Sequence, residues 1–316
     1  MLQKIKVYLK NVPAVSKIYY CLQEVRLHFF PQSAIKKVYK AVLGTTPDFQ
    51  NPQTINEKLQ VLKIGAYYNN SFVSDCIDKY KVKELLQSHF KIDGLKYANL
   101  YAAFDTVEEL LAHGFDDYPE KFVIKCNHGC GYNYLCEDKN KIDIADIRLV
   151  VGKWMQEDYW KRFAEYQYRF IKKKIFVEQF LPIKVDGTYK IYCFNGIPKF
   201  LYVSGADEQG NADVYLDFYD MDFNHLLVSL CGHKHSLKPI VKPHNFNKIV
   251  EIAKCLSQKF PFVRIDLYVI DDEIYFSEFT FFPTGGYMHL SPPDVAYEWG
   301  KYLNLNNTIH DSVYEV

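Results

Sequence analysis

The sequence predicts an α+β fold in which antiparallel strand pairs and amphipathic helices share one chain. Two segments, residues 189–205 and 262–282, each contain two apolar runs separated by turn residues, as in a β-hairpin. Residues 244–259 have the periodicity of an amphipathic helix. With 316 residues, 48% hydrophobic and 24% charged, the composition is that of a globular protein with about two or three subdomains.

The other elements are predicted from local signals along the chain. Helices interrupted at Pro13 and Pro31 are expected over residues 1–45, because proline breaks a helix. Asp78 is a favourable helix cap. Further helices are expected at 55–62, 78–90, 106–114 and 143–173. Strands are expected at 121–126, 134–138 and 174–181, with a turn at 127–133.

Positive charge is concentrated near the N-terminus, although the formal net charge of the chain is +0. Residues 1–40 hold eight basic residues and one acidic residue, Glu24. Two interpretations stay open: a basic helical arm packed on the body of the protein, or a segment in peripheral contact with an anionic membrane. The neutral overall charge gives no sign of nucleic-acid binding.

A cytoplasmic location is expected. No run reaches the ~18 apolar residues that span a bilayer, and the first residues lack the apolar core of a secretory signal. The eight cysteines include no CxxC pair and are expected to be reduced thiols.

The hairpin at 262–282 predicts an acidic face. With a three-residue connection at 271–273, Asp266 lies opposite Glu278 and Arg264 lies opposite Thr280, all on one face. A two-residue connection would place the two carboxylates on opposite faces. The predicted core face carries Val263, Ile265, Leu267, Val269, Tyr275, Phe279 and Phe281.

Two facing carboxylates repel each other unless a cation lies between them. Magnesium prefers such oxygen ligands and usually shares its shell with substrate phosphates. Arg264 offers an alternative, a surface salt-bridge cluster without metal. The pattern favours the metal, because a half-buried strand pair rarely keeps unpaired acids.

The turn after the strand at 121–126 contains Gly129 and Gly131, which would let successive N–H groups approach an anion. Lys125 would supply a positive charge to a phosphate. A simple hairpin turn is the alternative. Cys126, His128 and Cys130 lie in the same stretch, but without a fourth ligand zinc is not expected there.

Two other groups are weaker candidates. Asp220 and Asp222 are similar to the metal-binding acidic pair of nucleotide-sugar glycosyltransferases, but a solvent-facing turn is the favoured interpretation. His233 and His235 lie in a Gly/Lys loop and could be ligands, although solvated loop histidines are more common.

In this order the motifs resemble the TupA-like ATP-grasp family of bacterial cell-surface polysaccharide clusters and teichuronopeptide synthesis. The matching stretches are NPQTINEKLQVLK (51–63), DKYKVKELL (78–86), FVIKCNHGCGYN (122–133), KIFVEQFL (174–181), DGTYKIYCFNG (186–196), FVRIDLYVIDDEIYFSEFTFFPTGG (262–286) and D…EWGKYL (294–303).

The resemblance implies an ATP-grasp fold, in which two α/β subdomains clasp ATP and a helical basic arm precedes them. The implied divisions are the arm at 1–45, an N-terminal α/β region at 46–115, subdomain 1 at 116–182 and subdomain 2 at 183–316.

The resemblance also implies roles for individual residues. For ATP, these are the phosphate lysines Lys79, Lys125 and Lys190, the mobile-loop glycines Gly129 and Gly131, the adenine-edge Glu178, the hinge Gln179, Phe180 and Leu181, and the ribose-binding Asp186. For catalysis, Asp266 and Glu278 resemble the Mg²⁺ ligands, and Arg264 resembles the arginine that steadies the acyl phosphate or tetrahedral intermediate.

Two departures from the family pattern are visible. Thr280 stands where a third metal ligand, an Asn, is usual, which puts a second metal ion in doubt. Cys130 and the bulky Tyr132 stand in the mobile loop where small residues are usual, which puts the phosphate cradle in doubt.

The implied activity is that of an ATP-dependent carboxylate–amine ligase acting through an acyl phosphate. The family context suggests that the carboxylate, small or lipid-linked, is a sugar uronate or an amino acid used in capsule or polysaccharide assembly. Two alternatives remain: a glycosyltransferase that uses Asp220 and Asp222, and a non-catalytic nucleotide-binding protein, which Thr280 motivates.

Overall fold

The computed structural model of the protein describes residues 24–90, 92–183, 187–205, 215–236 and 240–306. The helices of these segments are α1 (Pro31–Leu43), α2 (Ile55–Ile64), α3 (Ser71–Ile77), α4 (Val82–Leu85), α5 (Val107–His113), α6 (Ile144–Gln156), α7 (Phe246–Ser257) and α8 (Val295–Tyr302). A helical stretch at 24–29 precedes α1, and a π-helical turn, Leu86–Phe90, follows α4.

The strands are β1 (Leu95–Lys96), β2 (Leu100–Phe104), β3 (Phe122–Cys126), β4 (Asn133–Cys136), β5 (Ile175–Gln179), β6 (Thr188–Phe194), β7 (Ile197–Gly205), β8 (Tyr215–Asp220), β9 (His225–Leu226), β10 (Ser229–Leu230), β11 (Phe262–Ile270), β12 (Glu273–Thr280) and β13 (Leu290–Ser291).

Two sheets organise the described part of the chain. The large sheet has the order β1-β12-β11-β6-β7-β8-β9, and the small sheet has the order β2-β5-β3-β4. All neighbouring strands of both sheets are antiparallel except β1 and β12. Strands β10 and β13 form a separate antiparallel pair.

Each sheet has its own hydrophobic core. Helix α7 covers one face of the large sheet and buries Ile249, Ile252 and Leu256 against it. Helices α5 and α6 pack with the small sheet around Leu110, Ile147 and similar residues. Residues of the predicted 46–115 region enter both cores, because α2 and α3 pack with the large sheet whereas α5 packs with the small one.

Local chemistry explains several helix and turn positions. Helix α2 begins at a capping box, in which Thr54 Oγ1 accepts from Glu57 N–H at 3.2 Å and Glu57 accepts from Thr54 N–H at 2.9 Å. The turn between β6 and β7 consists of Asn195 and Gly196, both with positive φ, as a tight hairpin requires. The hairpin predicted for 189–205 is therefore confirmed.

The acidic hairpin has the predicted pairing but a different connection. Asp266 pairs with Glu278 and Arg264 pairs with Thr280, as predicted. The connection is nevertheless two residues, Asp271 and Asp272, both with positive φ. A β-bulge restores the pairing, because Leu267 pairs with Phe276 while Asp266 pairs with Glu278, which leaves Ser277 as the extra residue.

The bulge also changes the predicted core face. Tyr275 was expected in the core, but it pairs with Tyr268 and is partly exposed. Ile274 and Phe276 are buried instead. The expectation of a three-residue connection and of a core-facing Tyr275 was therefore wrong, and the reason is the extra residue at position 277.

The helix predicted over 143–173 ends much earlier. Helix α6 stops at Gln156, and the chain then forms two 3₁₀ turns, Tyr159–Lys161 and Tyr166–Tyr168. Ala164 has a φ of 56°, which a continuous helix excludes. The aromatic anchors Tyr159 and Trp160 are buried through these turns rather than along one helix face.

The N-terminal arm is described only from residue 24 onward, and its predicted break at Pro31 is confirmed by the non-helical Phe30. Arg26 donates to Ser33 Oγ at 2.7 Å across the break. Leu27 and Ile35 pack against Trp160 and Tyr166. Among the described helices, none is long and apolar enough to cross a membrane.

Candidate active site

The acidic face of the large sheet is built around a buried ion pair. Arg264 Nε and Nη2 each donate to one oxygen of Asp266, both at 2.7 Å. Asp266 is 2% exposed and Arg264 is 7% exposed. The Arg264 guanidinium also donates to Thr280 Oγ1 at 3.1 Å and lies 4.0 Å from Glu278 Oε1. The Arg264 guanidinium therefore lies within 4.0 Å of the two acids of this face, Asp266 and Glu278, and of the Thr280 hydroxyl.

Glu278 connects the acidic face to two other parts of the chain. Its Oε2 lies 3.1 Å from Lys79 Nζ, which also donates to the carbonyl oxygen of Gly129 at 2.9 Å. Burial alone would raise the pKa of Glu278, but Lys79 and Arg264 outweigh it and lower the pKa to about 2. The carboxylate is therefore ionised at neutral pH.

Lys190 lies on the same face, one strand further along. It pairs with Asp266 in the β6–β11 register, and its Nζ lies 5.3 Å from the centre of the Tyr202 ring. Burial alone would lower the pKa of Lys190, but Tyr202 and Asp266 raise it above its ordinary value. Three cations, Lys79, Lys190 and Arg264, thus surround two carboxylates, which leaves a net positive charge on this face.

A second charged cluster lies on the small sheet. Glu178 on β5 forms ion pairs with Lys125 on β3 and with Lys83 on α4, the latter at 2.5 Å. Burial alone would raise the pKa of Glu178, but Lys125 and Lys83 lower it. Lys83 follows Lys79 by four residues, so the segment 79–83 connects the two charged clusters.

The glycine-containing turn after β3 faces the acidic site. Gly131 has a φ of 77°, a conformation that glycine adopts without strain. A Cβ atom on Gly129 would collide with the rings of Tyr132 and Tyr159, so only glycine fits there. The Tyr132 ring stacks on Trp154 at 5.4 Å, and its hydroxyl donates to Glu157 at 2.7 Å. The bulk of Tyr132 therefore lies in the core of the small sheet.

The predicted hinge begins at Gln179, the last residue of β5. The Gln179 N–H already donates to the carbonyl oxygen of Asn99 at 2.8 Å. Phe180 and Leu181 lie beyond the strand, and the Leu181 carbonyl accepts from Ile183 N–H at 2.9 Å. Asp186, the predicted ribose ligand, lies outside the described residues.

The other candidate groups are not part of this cluster. Asp220 Oδ1 accepts from the N–H groups of Asp222 and Asn224 at 2.9 and 2.8 Å, so the predicted solvent-facing turn is confirmed. Cys126 Sγ contacts Met155 Sδ, and His128 Nε2 lies 2.9 Å from the carbonyl oxygen of Trp154. Their side chains are thus used in packing the small sheet.

One protein family has a model that matches most of the chain. The model of the TupA-like ATP-grasp proteins matches residues 57–304. The chain belongs to the TupA-like ATP-grasp family. The predicted family and the predicted α+β ATP-grasp fold are therefore confirmed.

Three solved structures illustrate the distance to other proteins. The chain is similar to D-alanine–D-alanine ligase from Bacillus anthracis, with 15% identity, a TM-score of 0.37 and coverage of 66% of this chain and 58% of that chain. For the same enzyme from Helicobacter pylori the values are 13%, 0.38, 72% and 61%.

The third is N5-carboxyaminoimidazole synthase from Aspergillus clavatus, in complex with ADP and 5-aminoimidazole ribonucleotide, with 12% identity, a TM-score of 0.37 and coverage of 66% and 44%. The chain therefore spans less than two thirds of the length of each of these three enzymes. No curated protein sequence matches the chain.

The ATP-grasp fold implies Mg²⁺, and the residues present fit this ion. The Asp266 and Glu278 carboxylates face each other across two neighbouring strands, and both offer oxygen ligands. Thr280 adds a neutral hydroxyl that lies 3.4 Å from Glu278 Oε1 and already accepts a hydrogen bond from Arg264. The donor set is therefore strongest at the two carboxylates.

Several residues of this candidate site were missed from the sequence. The signal for Lys83 was its closeness to Lys79 in the DKYKVKELL stretch, although Lys79 lies in the turn before α4 and the two lysines contact different acids. Asp78 was predicted only as a helix cap. Its carboxylate accepts from the N–H groups of Tyr80 and Lys81 and, at 3.0 Å, from Asn127 Nδ2. The bond to Asn127 connects the turn after β3 to the segment that contains Lys79. The contact between Asp78 and Asn127 spans 49 residues, and no local pattern signals it.

Glu165 is a further buried acid near the site. It is 5% exposed, and the charges of Lys63, Lys79 and Glu278 act on its carboxyl group. Burial raises the pKa of Glu165 to about 7, although Lys63 and Lys79 oppose the shift. Lys63 itself donates to the carbonyl oxygens of Phe163 and Gly285, at 3.0 and 2.6 Å.

Glu165 is expected to make the stability of the protein fall between pH 4.5 and about 7. In this range the native Glu165 keeps a proton that the unfolded chain has released, so the native state binds more protons and loses stability as the pH rises. Urea unfolding of wild type and Glu165→Gln at both ends of the range measures this, and the variant should gain stability relative to wild type as pH rises. The exposed Glu84→Gln is the control, and an equal pH response of both variants would contradict the expectation.

Proposed function

We propose that the protein is an ATP-dependent ligase that joins a carboxylate to an amine. The observation that supports this is the single face on which Lys79, Lys190 and Arg264 surround Asp266 and Glu278. Transfer of a phosphoryl group requires positioning and positive charge more than a side-chain nucleophile. The face supplies both, next to a glycine turn whose backbone Lys79 holds.

The proposed reaction has two steps. A substrate carboxylate oxygen attacks the γ-phosphorus of ATP, the bond to the β–γ bridging oxygen breaks, and ADP leaves. The amine nitrogen then attacks the carbonyl carbon of the acyl phosphate, phosphate leaves, and the nitrogen loses a proton to give an amide. Mg²⁺, held by Asp266 and Glu278, would neutralise charge on the phosphate oxygens.

The residues of the chain have separate roles in this proposal. Lys79 and Lys190 bind phosphate oxygens, and Lys125 does so from the small sheet beside Glu178. Arg264 orients Asp266 and supports the charge that develops on the carbonyl oxygen. Phe180 and Leu181 lie where the chain leaves β5, and the backbone there would hold the base.

The substrate class rests on the family context alone. A sugar uronate or an amino acid, free or lipid-linked, would be joined to an amine during polysaccharide assembly in the cytoplasm. The abundance of aromatic residues does not support sugar stacking by itself, because many lie in the cores, such as Phe200 stacked on Trp299 at 3.9 Å.

Peripheral membrane contact remains part of the proposal. Phe29 and Phe30 are 66% and 62% exposed at the break before α1, and Lys36, Lys37 and Lys40 are exposed on α1. Exposed aromatic rings beside basic side chains suit an anionic lipid surface, which would hold the enzyme near a lipid-linked substrate.

One assay tests the proposed activity. Purified protein is incubated with ATP, Mg²⁺ and pools of uronic acids and amino acids, and ADP release is measured. We expect ADP above background with at least one pool, and equal release by the control Asp220→Asn. Nucleotide-sugar turnover that depends on Asp220 would favour a glycosyltransferase. ATP binding without ADP from any pool would favour a non-catalytic protein, and no ATP binding would refute a nucleotide site.

A further inference from the structure

A second cluster of polar residues lies at the edge of the large sheet, away from the acidic face. It consists of Asp217 on β8, His225 on β9 and His235 in the loop after β10. Tyr202, opposite Lys190, pairs with Phe218, so Phe218 lies on the acidic face. Neighbouring side chains of a strand alternate, and Asp217 therefore points to the other face.

The three side chains converge on one point. His225 Nε2 lies 3.1 Å from Asp217 Oδ1, and His235 Nδ1 lies 3.3 Å from the same oxygen. The candidate ligand atoms all lie within 4.8 Å of one another. The two imidazole rings are nearly perpendicular, with centroids 5.2 Å apart and an interplanar angle of 83°. They therefore approach the carboxylate from two different directions.

The surroundings of this cluster suit a cation. The Asp217 side chain is 3% exposed, whereas the side chains of His225 and His235 are 37% and 34% exposed. The Ser236 N–H holds Asp217 Oδ2 at 3.1 Å and so fixes the carboxylate. The described partners of Asp217 are thus two imidazoles and one N–H group, none of which carries a permanent positive charge. A buried carboxylate is stabilised by a full charge beside it.

Two of the three ligand separations fit a zinc site. With metal–ligand bonds of about 2.0–2.1 Å, two ligands of a tetrahedral zinc ion lie about 3.3–3.4 Å apart. The two measured separations from Asp217 Oδ1 are 3.1 and 3.3 Å. Imidazole nitrogens favour zinc over Mg²⁺ or Ca²⁺, which prefer sites made of oxygen ligands alone.

We propose that Asp217, His225 and His235 bind a zinc ion, with one position left for water or a further ligand. The three ligands come from three different segments, β8, β9 and the 231–236 loop. The ion would hold this loop onto the outer strands of the large sheet, where the only regular backbone link within the described residues is the bridge of Tyr215 with Lys234. The site lies on the other face of the sheet from Asp266 and Glu278, so zinc binding there is independent of the proposed ligase reaction.

Zinc binding by the full-length protein without an affinity tag tests the proposal. The protein is stripped with a chelator and dialysed against buffered Zn²⁺, and bound zinc is measured by mass spectrometry. About one zinc ion per chain is expected for wild type. His225→Gln and His235→Gln should each lower zinc affinity more than the 10–100-fold that loss of an outer partner causes, as measured by competition with a zinc indicator.

Two control variants locate the ion. His233→Gln removes an imidazole from the same loop, and Cys231→Ser removes an exposed thiol two residues before His233. Both variants should bind zinc like wild type. Added zinc should raise the melting temperature of wild type and of both controls, but not of His235→Gln. The variants are made at the partly exposed histidines, and the buried Asp217 is left unchanged so that the fold is preserved.

Three results would overturn the proposal. If wild type retains no more zinc than His235→Gln, the cluster is an Asp–His hydrogen-bond network. If Cys231→Ser loses the ion, a thiol holds it elsewhere. If His225→Gln keeps the Zn²⁺-dependent rise in melting temperature, the ion is likewise bound at another site.

Discussion

Glu278→Gln is expected to lower ATP turnover by more than about 100-fold, since loss of even an outer partner of a metal site costs 10–100-fold. The change keeps the size of the side chain but removes the charge that faces Asp266 and binds Lys79 at 3.1 Å. Lys79 would keep its bond to the Gly129 carbonyl, so the turn after β3 should stay in place. The loss should therefore concern Mg²⁺ and phosphate binding and leave the fold intact.

The measurement is ADP release at saturating ATP over a range of Mg²⁺ concentrations, together with a melting curve. Asp272→Asn is the matched control, because it is the same chemical change in the same hairpin, and asparagine tolerates the positive φ of this turn position. Turnover by Glu278→Gln within a few-fold of wild type would remove Glu278 from the proposed metal site.

Arg264→Met is expected to lower the free energy of unfolding by about 3–5 kcal/mol, the usual cost of removing one partner of a buried ion pair. Methionine fills much of the space of the arginine but offers no donor to Asp266, which is 2% exposed. The nearby Lys190 offsets part of the loss, because its charge also acts on Asp266. The effect should exceed that of any exposed ion pair.

Urea unfolding compares this variant with Arg148→Met, which breaks the exposed pair with Glu108 and should cost at most about 1 kcal/mol. Adding Asp266→Asn to Arg264→Met removes the unpaired charge and should recover part of the stability. The double variant is expected to lose less stability than Arg264→Met and Asp266→Asn do when their separate losses are added. A larger loss than that sum would show that Asp266 is stabilised by partners other than Arg264. Arg264→Met and the double variant should also lose ATP turnover.

The acidic face could be predicted because it depends on a short-range rule. Side chains alternate along a strand, so Arg264 and Asp266 share one face of β11, and Glu278 and Thr280 share one face of β12. Pairing of the two strands then brings these four side chains together. The bulge at Ser277 could not be predicted, since an extra residue in a strand leaves the same apolar and polar letters in the sequence. The pairing was therefore right although the assumed connection was wrong.

Long-range contacts account for most of what the sequence did not reveal. Glu165 lies in a stretch that was predicted as helix, and its burial beside Lys63 depends on 3₁₀ turns set by tertiary packing. His235 was recognised as a candidate ligand, but it was paired with His233. Its contacts with Asp217 and His225 arise only when the loop folds back on β8.

The bulge in the acidic hairpin has a consequence for how the sequence of this protein can change over time. Side chains alternate between the two faces of a strand. The face on which Glu278 lies therefore depends on whether the number of residues between Asp266 and Glu278 is even or odd. The turn and the bulge each contribute to that number, and only their sum matters. A hairpin with one more residue in the turn and without Ser277 would present the same carboxylates. Lengths in this part of the chain are therefore free to vary in compensating pairs, while a single insertion or deletion would turn the Glu278 carboxylate toward the core.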